Sequence, residues 1–176
     1  ISGTASNGVS FNHCQAYGGG GIDCGTPDNN TSYNGNIAIT YCSFEHCFAK
    51  GDEDGETAGG AVRCLASTFT LNHCTFENCT SYRQGGAVYH RGSTKCTVKD
   101  CAFASCTAGA KGRQSAAGAL ETQAPSFTID GCSFTNCAST RNAGAINFYR
   151  DNNAPINGTI SNSSFINCMT DTTGNE

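Results

Sequence analysis

Apolar residues in this chain recur in short alternating runs, and no stretch carries the 3.6-residue stripe of an amphipathic helix. One motif organises the runs: a phenylalanine followed three positions later by cysteine. It occurs at Phe11/Cys14, Phe44/Cys47, Phe76/Cys79, Phe103/Cys106, Phe134/Cys137 and Phe165/Cys168, with 27 to 33 residues between successive phenylalanines. Four units carry a second cysteine two residues before the phenylalanine (Cys42, Cys74, Cys101, Cys132), where the last unit has Ser163 and the first Val9. Residues two apart in a strand share a face, so this position and the phenylalanine point the same way.

Each unit contains two further strand candidates. Seven and five positions before the phenylalanine stand pairs such as Ile37/Ile39, Phe69/Leu71 and Phe127/Ile129, with an outward residue between them: Ala38, Thr70, Thr97, Thr128 or Thr159. After the Phe-x-x-Cys come a loop of variable length and a small-residue strand, Gly19–Ile22, Gly59–Val62, Gly85–Val88, Ala117–Leu120 or Ala143–Ile146, whose glycines suit a corner of close backbone packing. Three short strands per unit cannot bury their apolar faces as isolated hairpins. Stacked rung on rung about 4.8 Å apart, they can. The pattern therefore predicts an all-β fold, a parallel β-helix of five to six rungs with three short strands each. The crossover rule makes it right-handed. Residues 1–176 form one such domain, read as a segment of a longer chain or of a filament.

Composition narrows the role. Ten Lys and Arg scattered singly in a chain of net charge −4 form no stripe for a phosphate backbone, so nucleic acid is not an expected partner. No apolar run reaches the roughly 18 residues of a membrane helix, and no membrane insertion is expected. The carboxylates Asp23, Glu45, Glu77, Asp100, Glu121 and Asp130 stand mostly singly and Trp is absent, so the paired acids and aromatic platforms of a polysaccharide-active enzyme are not apparent. No catalytic residue and no cofactor is assigned.

The pairing of Gly-Gly-Ala-aliphatic (Gly59–Val62, Gly85–Val88, and more loosely Ala117–Leu120 and Ala143–Ile146) with Phe-x-x-polar resembles the repeats of the chlamydial polymorphic membrane proteins and related surface proteins. It departs from them in carrying Cys where they usually carry Asn. The resemblance covers about residues 9 to 168. It implies a right-handed parallel β-helix at the cell surface or outside the cell, in an adhesive or structural role.

The thirteen cysteines align in columns. Cys14, Cys47, Cys79, Cys106, Cys137 and Cys168 make one ladder; Cys42, Cys74, Cys101 and Cys132 make a second; Cys24 and Cys64 close the glycine-rich strands; Cys96 stands alone. Either reduced thiols packing as small hydrophobes or disulfides between adjacent rungs, Cys24 with Cys64 among them, satisfy this arrangement. No Cys-x-x-Cys pair suggests zinc. Five Asn-x-Ser/Thr sequons (Asn29, Asn30, Asn78, Asn157, Asn162) are candidate glycosylation sites in a secreted protein. Asp52, Asp54 and Glu56 alternate beside a glycine turn as calcium ligands do, without the full EF-hand pattern. The sequence reading is thus an extracellular or cell-surface rod, structural or adhesive, a glycoprotein that stacks on further repeats or on copies of itself and contacts host-surface or matrix glycans. The alternative is a carbohydrate-binding or carbohydrate-cleaving β-helix.

Overall fold

The computed structural model describes residues 1–25, 33–51, 57–109, 117–150 and 155–170. Every strand pairing in it is parallel and joins equivalent residues of successive units, as a solenoid requires: Phe11 with Phe44, Phe44 with Phe76, Phe76 with Phe103, Phe103 with Phe134, and Phe134 with Phe165. Four sheets result, two of six strands and two of five. The phenylalanine sheet holds Val9–Asn12, Cys42–Glu45, Thr75–Glu77, Ala102–Ala104, Ser133–Thr135 and Ser164–Ile166. The glycine sheet holds Ile22–Cys24, Val62–Cys64, Val88–His90, Leu120–Thr122 and Ile146–Phe148, and the threonine sheet Tyr33–Thr40, Ala66–Asn72, Lys95–Lys99, Ser126–Asp130 and Asn157–Ser161.

The fourth sheet corrects the expectation of three strands per rung. It consists of two-residue strands directly after the Phe-x-x-Cys: Gln15–Ala16, Phe48–Ala49, Thr80–Ser81, Thr107–Ala108, Ala138–Ser139 and Met169–Thr170. Two residues are too few to show an alternation, so the sequence carried no signal for them.

The rungs turn at residues in the left-handed region. His13, His46, Asn78, Ser105, Asn136 and Asn167, one before each Phe+3 cysteine, have φ of 50 to 53°. Tyr41, His73, Asp100, Gly131 and Asn162 repeat this before the second cysteine position, with φ of 49 to 64°. Asn and Asp adopt this region at low cost; Tyr and His do so less readily. At the glycine corner the requirement is space: a Cβ on Gly86 would lie 1.9 Å from the carbonyl oxygen of Gly118, and one on Gly60 2.1 Å from that of Gly86.

The core runs along the axis. Phenylalanine rings stack with centroids 4.7 to 4.9 Å apart and planes within 6°, the rung spacing itself. Phe44, Phe76, Phe103 and Phe134 are at most 1% exposed, whereas Phe165 in the last rung is 46% exposed. Irregular columns compensate in size: Gly158 stands against the ring of Phe127, where any Cβ would clash. Phe103→Ala should therefore cost about 3–5 kcal/mol in denaturant unfolding. Phe165→Ala should cost far less, and equal losses at the two sites would contradict the stacking order.

Candidate functional site

The outward face of the phenylalanine sheet gathers side chains that lie far apart in sequence. Its floor is small and mostly hydroxylic: Ser43, Thr75, Ala102 and Ser133. One edge is the left-handed column of Tyr41, His73, Asp100 and Gly131. Apart from Ser43, these residues together with Ala5 and Cys101 line an open groove of about 510 Å³. The Tyr41 and His73 rings lie 4.7 Å apart, and His73 Nε2 is 3.9 Å from Asp100 Oδ2. At the opposite edge His13 and His46 stack at 4.8 Å, and His46 Nε2 lies 3.6 Å from Glu45 Oε1. Glu45 and Glu77 are register partners on this face. Three of the four histidines thus flank one narrow face. The Tyr41–His73–Asp100 edge carries no signal in the sequence, because the left-handed corner brings together residues that no motif marks.

A second column of polar residues covers the outside of the glycine sheet: Asp23, Arg63, Tyr89, Glu121 and Asn147. Arg63 donates from Nη1 to both Asp23 oxygens at 3.0 and 3.1 Å and is 4% exposed. Gln123 donates from Nε2 to the Tyr89 hydroxyl. Glu121 is wholly buried, neither carboxyl oxygen has a hydrogen-bond partner among the described residues, and burial pushes its pKa up to about 8. The acid read as isolated in the sequence therefore stands two rungs from an arginine–aspartate pair and is held neutral. Inside the same sheet His90 is also wholly buried, its Nδ1 facing Thr122 Oγ1 at 3.0 Å and its Nε2 the carbonyl of Ala66 at 2.9 Å. Nε2 donates to Ala66, Nδ1 accepts from the threonine hydroxyl, and burial lowers the pKa to about 4.

All thirteen cysteines are free thiols, ten of them buried and Cys14, Cys24 and Cys168 half-buried. The two ladders form as expected, and the structure shows what they do. Each Phe+3 thiol faces the carbonyl two residues back across the left-handed corner, as Cys106 faces Ala104 at 3.5 Å and Cys137 faces Thr135 at 3.6 Å. From Cys47 onward each also faces the carbonyl of the preceding rung's phenylalanine, at 3.5 to 3.7 Å. The second ladder does the same at its own corner: Cys42 to Thr40, Cys74 to Asn72, Cys101 to Lys99 and Cys132 to Asp130. Ser163 substitutes with a 2.7 Å bond to Ser161. The thiols add a second, weak donor to carbonyls that already accept a backbone N–H of the preceding rung, as Ala104 does from Asn78 and Asp130 from Asp100. Cys106 is held as a thiol by its bonds with Cys137 and Cys79, and burial pushes the lone Cys96 up to about 12.

Of the sequons, Asn157 is exposed at the start of a threonine-sheet strand, while Asn78 and Asn162 sit at left-handed corners and Asn162 donates to Asp130 at 2.9 Å. Asn29, Asn30, Asp52, Asp54 and Glu56 lie outside the described residues. Among the described residues no group of three or more His, Cys, Asp or Glu is placed to hold a metal ion, and no helix is long and apolar enough to cross a membrane.

Glu121 and His90 set a pH profile for stability. Between about 4.5 and 8 only the folded chain keeps the Glu121 proton, so unfolding releases it and stability falls as pH rises through that range. Between about 6.5 and 4 only the unfolded chain binds the His90 proton, so stability falls as pH drops through that range. The two slopes cancel between about 4.5 and 6.5, giving a plateau flanked by losses. Measured against Glu121→Gln, which leaves Cys24 and the other titrating groups in place, denaturant unfolding should lose about 2 kcal/mol between pH 6.5 and 8 at about 1.36 kcal/mol per unit. Identical slopes in the two proteins would show that Glu121 causes no loss.

A family described as right handed beta helix region matches residues 60–174. No curated protein and no solved structure matches the chain.

Proposed function

Because the chain belongs to the right-handed β-helix family, we propose that it serves as a structural rod at the cell surface or outside the cell, extended by rungs stacking on its end. The observation carrying this is the last rung. Ile160 and Phe165 are each 46% exposed there, although Ile129 and Phe134, their register partners one rung before, are fully buried. The first rung offers the complement: Val9 and Phe11 are only partly buried and pack against the core. A second copy placed head to tail would continue the phenylalanine stack at the same spacing. Because that contact is heterologous and does not close, it builds a filament. The exposed sequon at Asn157 supports a secretory location for the rod.

The adjacent, tilted rings of Tyr41 and His73 beside Asp100 favour a second reading, in which the groove binds a glycan as part of an adhesive role. Aromatic faces beside a carboxylate suit a sugar ring and its hydroxyls.

Light scattering on the chain should show mass rising with concentration, and Ile160→Lys should hold it monomeric. A monomer at all concentrations for the native chain would overturn the stacking. Binding of a soluble oligosaccharide that Tyr41→Asn abolishes would support the second reading whatever the outcome of the first.

A further inference from the structure

We propose that Cys24 and Cys64 form a redox-active dithiol that closes to a disulfide by exchange with a low-molecular-weight disulfide, while the two long ladders stay reduced. This goes beyond the rod reading and does not depend on it.

The two residues are register partners on neighbouring strands of the glycine sheet. Parallel partners stand about 4.8 Å apart, inside the roughly 4.4 to 6.8 Å window of disulfide Cα separations. Their side chains already hydrogen-bond to each other. Bond formation therefore requires side-chain rotation rather than backbone movement.

Access separates this pair from the ladder interiors. Cys24 is half-buried and Cys64 wholly buried, so a reagent meets the first and not the second. Cys79 and Cys106, by contrast, are wholly enclosed. The environment also sorts the two roles. The bond from Cys64 draws the Cys24 thiol down to about 7, while the same bond raises Cys64. Cys168, half-buried as well, is raised by burial. A reachable thiolate beside a protected thiol is the arrangement of an attacking and a resolving cysteine.

The column also fixes the partner. A ladder thiol such as Cys79 has a thiol on each side, Cys47 and Cys106, and could pair either way. Beyond Cys64 the next residue in register is His90, whose two ring nitrogens are taken by Thr122 and Ala66. Cys64 thus has one thiol in its own column; the other thiol near it, Cys96, is fully buried and out of a reagent's reach.

The chemistry balances. The Cys24 thiolate attacks one sulfur of glutathione disulfide, forming a mixed disulfide and releasing one glutathione thiolate. The charge that kept Cys64 protonated is then gone. Cys64 gives up its proton and attacks the Cys24 sulfur, releasing the second glutathione. Two protein thiols lose two electrons in total, and one glutathione disulfide becomes two thiols.

The test is incubation of the folded 176-residue chain with glutathione disulfide near pH 7.5, followed by alkylation in denaturant and peptide mapping by mass spectrometry. A single bridge joining Cys24 to Cys64 with eleven alkylated thiols is expected, with a higher melting temperature for the oxidised form. Cys64→Ala should trap glutathione on Cys24, and Cys24→Ala should take up neither bridge nor adduct at Cys64. Thirteen unreacted thiols would overturn the proposal. So would a bridge within the long ladders, or an adduct in Cys64→Ala on any residue but Cys24. Circular dichroism of each variant checks that the fold is retained.

Discussion

The constraint on which everything else depends is parallel, in-register hydrogen bonding between rungs. It fixes the axial repeat at the strand spacing of about 4.8 Å and places each residue above its equivalent. A side chain chosen once is therefore chosen for a whole column. Flat rings tolerate this well: the phenylalanines stack face over face along the axis, burying each ring's faces against its neighbours. Glycine columns follow from the same rule, since a corner where one backbone oxygen lies over the next rung leaves no room for Cβ.

Corners are where the rule is costly. A rung must bend, and at each bend the carbonyl still accepts a backbone N–H of the preceding rung while the chain enters the left-handed region. An inward cysteine follows, and its thiol adds a second, weak donor to that oxygen. Cysteine is small enough to repeat every rung beside a phenylalanine, apolar enough for a dry core, and still a donor. Serine takes the same position only in the last rung, where the surroundings are more exposed.

Buried ionisable groups sit on the glycine sheet and oppose that economy. Arg63 is matched by Asp23, and His90 satisfies both nitrogens, but Glu121 has no partner among the described residues and remains folded by staying protonated. A neutral acid in such a place costs less than an ion would, at the expense of stability above neutral pH.

The sequence by itself determined the rung. Phe-x-x-Cys, the alternating strand before it and the glycine-rich strand after it carry signals within a few residues, and each recurs often enough to fix register from Phe11 to Phe165. The cysteine columns followed from that alignment. The short fourth strands did not, because two residues have no periodicity. Nor did the chemistry of the surfaces. Tyr41, His73 and Asp100 meet only because loops of unequal length return to the same corner, and Glu121 reads as an ordinary surface acid until Tyr89 and Asn147 flank it in the stack. Which of two thiols is exposed, and which has a single partner, depends on neighbours one rung away and some forty residues distant in the chain. Local patterns encode the repeat; burial and partnership arise only when the repeats are laid on one another.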